Sequence, residues 1–280
     1  MNEIIVLGLL FALLSRFIGL IISIGFYNSL RDKKFIKLVL GWFFWICAGT
    51  LNLSSEIINQ VPTNDIVILL NTIFSALGDI FVLIGVISYF RKIPNNMFII
   101  LTSIFVIGPI LAYSIPSFRS LLSVISLLRL FVTIFFTVIP IIERKRFKKQ
   151  LSNKTYFWFY ITTIIIYLYT VSYFLLTLQG KIYGGIINAP GLELIIYLFL
   201  LDSTTFLVVI LVNQIEYDIS SYYKFELKDK YSHDLGNILQ RLYTASDLIR
   251  EEKDLKMLDI IEKNIKEAAE LIKEIRDISF

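Results

Sequence analysis

Seven long apolar stretches occupy the first 215 residues of the chain. They cover residues 4–27, 38–58, 66–90, 98–113, 121–142, 155–178 and 192–215. A helix of about 20 mainly apolar residues can cross a bilayer, and each stretch reaches or approaches that length. The fourth stretch is short, and its Gly108-Pro109 pair predicts that the helix bends or ends there. The pattern predicts a seven-helix transmembrane domain over residues 1–215.

From Tyr231 onward the apolar residues recur at alternating intervals of three and four, as in helices that pack side by side. A short turn over residues 251–254, with Asp254 as an N-cap, divides this pattern into two helices. The first set is Tyr231, Leu235, Ile238, Leu242, Ala245 and Ile249, and the second is Leu258, Ile261, Ile265, Ala268, Ile272 and Ile275. Two helices alone bury one stripe each, so we predict an antiparallel hairpin over residues 231–280 that forms a four-helix bundle as a homodimer. The expected fold class is an all-α membrane protein.

Residues 216–230 connect the two predicted domains as a signalling helix. Gly236 is the only glycine or proline between residues 192 and 250, which predicts one continuous helix from the seventh span into the hairpin. Apolar residues in the connection are spaced by fours, and this resembles a stutter, which locally unwinds a coiled coil. They are Ile219, Tyr223, Leu227, Tyr231 and Leu235. We predict that this junction has two packings, between which shifts of the seventh span select.

Composition shows that the two domains need different solvents. Hydrophobic residues make up 56% of the chain and charged residues 18%, whereas about a quarter of the residues in a soluble domain are charged. The first 215 residues carry 16 Lys/Arg against 8 Asp/Glu, and the remaining 65 carry 11 against 15. The tail has no basic stripe with interleaved aromatic residues, so a nucleic-acid partner is not predicted.

Basic residues are concentrated in alternate loops. Twelve lysines and arginines lie in the loops after the first, third and fifth spans, and only Arg119 and Lys181 lie in the others. Because basic loops stay on the cytoplasmic side, we expect the N-terminus outside the cell and the tail in the cytoplasm. The sequence therefore predicts a multi-pass protein of the plasma membrane, in contact with the lipid bilayer.

Rare residue types exclude several kinds of site. Cys47 is the only cysteine and cannot form a disulfide within the chain, so we interpret it as a core residue. His233 is the only histidine, which excludes metal sites that need two imidazoles, and we predict no metal. The seventh span contains no lysine, which argues against a retinal Schiff base there.

Four charged residues lie well inside predicted spans. Arg16, Asp79, Arg129 and Asp202 belong to the first, third, fifth and seventh spans, which all run in the same direction. The four side chains are therefore expected at a similar depth near the bilayer centre, where ionisable groups are costly. One interpretation is a ligand, ion or proton site in the middle of the bundle. The other is that the two arginines neutralise the two aspartates as internal supports.

His233 falls on the outer face of the first hairpin helix. With Tyr231 at position d and Leu235 at position a of the heptad, His233 occupies position f, farthest from the packed seam. Asp234 follows it directly and Asn237 lies one turn later. This arrangement, on a dimerising hairpin after a membrane domain, resembles the phosphoacceptor motif of sensor histidine kinases. The resemblance covers residues 222–280 and extends more loosely to kinases with an N-terminal seven-helix sensor.

The resemblance implies a role for each residue of the motif in two-component signal transduction. His233 would accept phosphate on a ring nitrogen and pass it to an aspartate in the receiver domain of a response regulator. Asp234 would orient the imidazole and take its proton, and Asn237 would position ATP-side groups or a water molecule. The chemistry is reasonable because a neutral imidazole nitrogen is nucleophilic. The chain departs from many family members in having Ile238 where a proline commonly follows the asparagine.

The resemblance also implies a catalytic partner. Sensor kinases carry an ATP-binding domain with a glycine-rich lid, and the tail contains no glycine-rich phosphate-binding segment. We therefore expect no cofactor in this chain, with ATP and Mg²⁺ acting through a kinase domain in a longer chain or in a separate protein. The main alternative is a non-enzymatic seven-helix receptor or scaffold with a dimerising coiled-coil tail. A transporter is less favoured because no internal repeat is evident.

Overall fold

The chain divides into two compact units in the computed structural model. We call them the membrane unit, Met1–Asp218, and the tail unit, Ile219–Phe280. The structure describes residues 2–30, 34–58, 65–88, 93–115, 117–147, 151–187, 191–252 and 257–278. The division between the units falls where the apolar seventh stretch gives way to the charged tail.

Seven helices of the described residues are long and apolar enough to cross a membrane, which confirms the predicted number of spans. They form as helices because a backbone in lipid must satisfy its polar groups within the segment. The predicted end of the third span at residue 90 lies outside the described residues. The seven are α1 (Asn2–Leu30), α2 (Lys34–Ile58), α3 (Asp65–Ile87), α4 (Asn95–Tyr113), α5 (Phe118–Ile142), α7 (Asn153–Leu178) and α8 (Leu192–Glu252), whereas α6 (Arg144–Phe147) is one short turn and α9 (Met257–Ile278) lies in the tail unit.

The Gly108-Pro109 pair does not end the fourth span, which reaches Tyr113 as predicted. Helix α4 continues through Pro109, which is buried, and ends at Tyr113. A proline removes one backbone hydrogen bond, but helix α5 likewise continues through Pro140. Membrane helices tolerate proline because neighbouring groups compensate for the missing bond, so the pair does not terminate the span.

A small β-hairpin between α7 and α8 adds to the fold, which is otherwise all-α in the described residues, as predicted. Strands β1 (Ile182–Tyr183) and β2 (Ile186–Ile187) pair antiparallel across Gly184 and Gly185, whose φ angles are +57° and +91°. Two residues with positive φ are typical of a type I′ turn, which glycine adopts without strain. The hairpin is buried, and Asn71 of α3 donates its side-chain amide to the carbonyl of Gly184.

Small residues let the first three helices approach closely. Gly19 of α1 faces the indole ring of Trp42, and Gly41 of α2 faces Val82 of α3, with no room for a Cβ at either glycine. Trp42 is fully buried and donates its indole N–H to Ser23 Oγ at 3.1 Å. This close packing holds α1, α2 and α3 together beside the charged residues described below.

The tail unit is a helical hairpin. Arg241 of α8 and Glu267 of α9 form an ion pair at 3.1 Å and lie equally far from residue 254, as in an antiparallel pair of helices. Helix α8 extends through Glu252, so the predicted turn over residues 251–254 begins two residues too early. Glutamate has a high helix propensity, which is why the helix includes residues 251 and 252. Asp254, the predicted N-cap, lies outside the described residues.

In the single copy, the described residues of the predicted α8 seam are buried or half-buried, whereas much of the predicted α9 seam is exposed. Ile238 and Ala245 of α8 are buried, whereas three of the α9 seam residues are more than half exposed. These are Leu258, Ile265 and Ile272. On α9 the buried position is Asn264, whose amide donates to the carbonyl of Ile260 at 2.9 Å. Helix α9 therefore presents a different stripe to α8 from the one that the heptad spacing alone predicts.

Candidate functional site

His233 projects from the tail unit with its side chain 76% exposed, as position f requires. Its Nδ1 atom lies 3.2 Å from Asn237 Nδ2, one helical turn away, and 3.6 Å from Asp234 Oδ1. The second distance is too long for a hydrogen bond but short enough for an electrostatic contact. The structure thus places Asp234 and Asn237, the other two residues of the predicted motif, beside the same nitrogen of the His233 imidazole.

The two ring nitrogens of His233 have different surroundings. Nδ1 faces Asp234 and Asn237, and Nε2 has no partner among the residues that the structure describes. When the Asn237 amide donates to Nδ1, the ring proton is on Nε2. The opposite tautomer carries its proton on Nδ1, toward Asp234, and leaves the lone pair of Nε2 directed away from both neighbours. In that tautomer Nε2 is the nucleophile and Asp234 is placed to receive the Nδ1 proton.

A groove of about 330 Å³ lies beside the motif, between the two helices of the hairpin. Asp234, Asn237 and Arg241 line it from α8, and Glu267 and Glu270 line it from α9. The Arg241–Glu267 ion pair spans the groove and connects the two helices two turns beyond His233. The groove is polar, and most of its charged side chains are acidic. The surface next to the His233 imidazole is therefore concave.

Asp79 and Arg129 form an ion pair inside the membrane unit. The Arg129 Nε–H donates to Asp79 Oδ2, and the Trp45 indole N–H donates to Asp79 Oδ1 at 2.8 Å. Gly78 makes this contact possible because a side chain at that position would overlap the Trp45 ring. The guanidinium of Arg129 also lies 5.1 Å from the centre of the Tyr173 ring, in a cation–π contact. Both oxygens of Asp79 therefore have hydrogen-bond donors.

Arg16 and Asp202 are less completely satisfied. Arg16 Nη1 donates to the carbonyl of Trp45 at 2.7 Å, and the guanidinium lies 5.8 Å from the centre of the Trp45 ring. Arg16 is close enough to Asp202 for their charges to interact. Arg16 Nε and Asp202 Oδ1 are buried without a hydrogen-bond partner among the described residues. The four intramembrane charges thus comprise one hydrogen-bonded pair and two groups with unused hydrogen-bonding capacity.

A cavity of about 60 Å³ adjoins Asp79, among α3, α5, α7 and α8. That volume exceeds the roughly 10–15 Å³ that one buried water molecule needs. Most of the wall is apolar, and threonines and Tyr169 contribute the hydroxyl groups. The hydroxyl of Thr204 is buried without a partner among the described residues.

Sequence reasoning missed Trp45 as a partner of the intramembrane charges. The only signal is indirect, since Gly78 and Gly49 mark close helix approaches next to Asp79 and Arg16. No protein-family model, curated protein or solved structure matches this chain.

Proposed function

We propose that this protein is a membrane sensor of two-component signal transduction and that His233 is its phosphoacceptor. The observation that carries the proposal is the exposed imidazole, with Nδ1 beside Asp234 and Asn237 and with Nε2 directed away from them. A phosphoacceptor must be reached first by a kinase domain and then by a receiver domain. An imidazole on the outer face of a helical hairpin meets both requirements.

The reaction is a transfer of one phosphoryl group. The Nε2 lone pair of neutral His233 attacks the γ-phosphorus of ATP, the bond from that phosphorus to the β–γ bridging oxygen breaks, and ADP leaves. Asp234 takes the Nδ1 proton, so that the phosphorylated ring remains neutral. Once Nδ1 has lost its proton, it accepts a hydrogen bond from the Asn237 amide, which holds the phosphorylated ring. The phosphoryl group then passes from Nε2 to an aspartate oxygen of the response regulator.

We also propose that the tail unit pairs with a second copy. Leu258, Ile265 and Ile272 recur every seven residues on α9 and are each more than half exposed. Leu239 and Tyr243 of α8, at 56% and 70% exposure, add a second apolar strip. A heptad stripe that its own hairpin leaves uncovered is what a four-helix bundle buries between two copies.

A chimera tests the phosphoacceptor role. The ATP-binding domain of a characterised sensor kinase is joined after Phe280, and the full chain is incubated with γ-labelled ATP in lipid nanodiscs. We expect an acid-labile, base-stable phosphoryl group at His233, which ³¹P NMR assigns to Nε2. His233→Gln should abolish labelling, and Asp234→Asn should slow it. A folded chimera that binds ATP and carries no label on His233 would contradict the proposal.

The exposed apolar stripe also favours a second candidate, a non-enzymatic receptor or scaffold whose tail only dimerises. Such a protein needs the α9 stripe but not the imidazole. The two functions separate in the His233→Gln variant, because a scaffold would keep both its dimer and its output in the cell. A sensor kinase would keep the dimer and lose the output.

A further inference from the structure

Asp218, the last residue of the membrane unit, connects α8 to the first turn of α7. Its Oδ2 accepts hydrogen bonds from the backbone N–H of Ser152, at 2.7 Å, and from the Thr155 hydroxyl. Its Oδ1 accepts from Gln214 Nε2 at 3.1 Å. Ser152 is the N-cap of α7, so the carboxylate also lies at the positive end of that helix dipole. These contacts hold α8 at one angle and one height against α7.

Glu216 lies two residues earlier on α8 and is in the opposite situation. It is 0% exposed, and neither carboxylate oxygen has a hydrogen-bond partner among the residues that the structure describes. It continues the buried face of Val208 and Val212, at intervals of four residues, where an apolar side chain would be expected. A buried carboxyl group without a partner is costly, so Glu216 opposes the arrangement that Asp218 favours.

The two side chains leave the helix in nearly opposite directions. Residues two apart are separated by about 200° around an α-helix, because each residue turns it by about 100°. A rotation of α8 that carries Glu216 out of the packed interior therefore carries Asp218 away from Ser152 and Thr155. At the angle of α8 that gives Asp218 its contacts, the carboxyl group of Glu216 has no hydrogen-bond partner among the described residues.

We propose that α8 has two rotational positions in the membrane unit and that Asp218 and Glu216 bias it in opposite directions. Asp218 stabilises the position described here, and Glu216 stabilises a second position in which its carboxylate reaches a polar environment. The regulatory meaning of this device rests on the proposed function, because α8 is also the helix that carries His233. The existence of two positions does not depend on phosphorylation.

Distances between spin labels test the proposal directly. Labels are placed on Phe157→Cys of α7 and Tyr217→Cys of α8, which are 58% and 64% exposed, in a Cys47→Ala full chain. The labelled chain is diluted with unlabelled chain in nanodiscs and measured by double electron–electron resonance. We expect one main and one minor distance. Asp218→Asn should raise the ratio of minor to main population about tenfold, the factor for losing roughly one charge-assisted hydrogen bond.

Two further variants and a control make the result decisive. Thr155→Val removes one donor to Asp218 and should shift the populations in the same direction as Asp218→Asn. Glu216→Gln should shift them the opposite way, because a neutral amide of similar size gains less from a polar environment than a carboxyl group that can ionise there. Glu226→Gln, which removes an exposed carboxylate from α8, should leave them unchanged. Unaltered distances in Asp218→Asn and Thr155→Val, or equal shifts in Asp218→Asn and Glu216→Gln, would overturn the proposal. The distances test the two positions of α8 independently of phosphorylation, so they remain informative if His233 is not phosphorylated.

Discussion

Removal of Asp79 should destabilise the membrane unit through its partner Arg129. The side chains of the pair are 14% and 8% exposed, and Asp79→Leu leaves the guanidinium buried without a counter-ion. Removing one partner of a buried ion pair costs about 3–5 kcal/mol. The Trp45 indole N–H loses its acceptor as well, which adds about 1 kcal/mol. We therefore expect Asp79→Leu to lower the free energy of unfolding by about 4–6 kcal/mol.

The double variant Asp79→Leu, Arg129→Met tests whether the two charges stabilise the fold only by neutralising each other. It removes both ions together, and apolar replacement of a complete buried pair is often neutral or stabilising. We expect most of the lost stability to return. Stability is measured as reversible unfolding in mixed micelles by circular dichroism. Asp65→Asn is the matched control, because its exposed ion pair with Arg119 should be worth at most about 1 kcal/mol. A double variant as unstable as the sum of the two single variants would refute this reasoning.

Three other outcomes follow from the fold. Ile265→Asp should convert the dimer to a monomer in analytical ultracentrifugation of the full chain in detergent, and an unchanged mass would exclude this stripe from the interface. Gly184→Ala should lower the free energy of unfolding by more than about 1 kcal/mol, because the φ angle of residue 184 is +57° and Thr72 leaves no room for a methyl group. An unchanged melting temperature would contradict this. Insertion of one to seven residues after Lys228 should make output oscillate with helical phase, whereas a flat response would argue against rotational signalling along α8.

The spans could be predicted because length and apolarity alone determine whether a segment can cross a bilayer. The exposure of His233 could be predicted for a similar reason, since heptad spacing defines the outer face of a helix. These are local properties, and they depend only on residues within a few turns of one another.

The partners of the buried groups could not be predicted, because contacts between distant segments determine them. Trp45 reaches Asp79 only where Gly78 opens the space, and no pattern within α2 indicates that contact. Helix α9 carries two stripes, and spacing alone does not tell which one faces α8. The stripe that faces α8 contains the buried Asn264, which a search for apolar residues passes over.

The buried β-hairpin limits how this protein can be engineered. A two-glycine turn between two membrane helices would usually be selected for an epitope tag or a fluorescent protein, because such loop tips tolerate insertions. Here the tip is enclosed, since Gly184 is hydrogen-bonded to Asn71 and contacts the backbone of α3. An insertion at this turn would remove packing from the end of the bundle and separate α7 from α8. The exposed segment around Ser114 and Ile115, between α4 and α5, is the better attachment point.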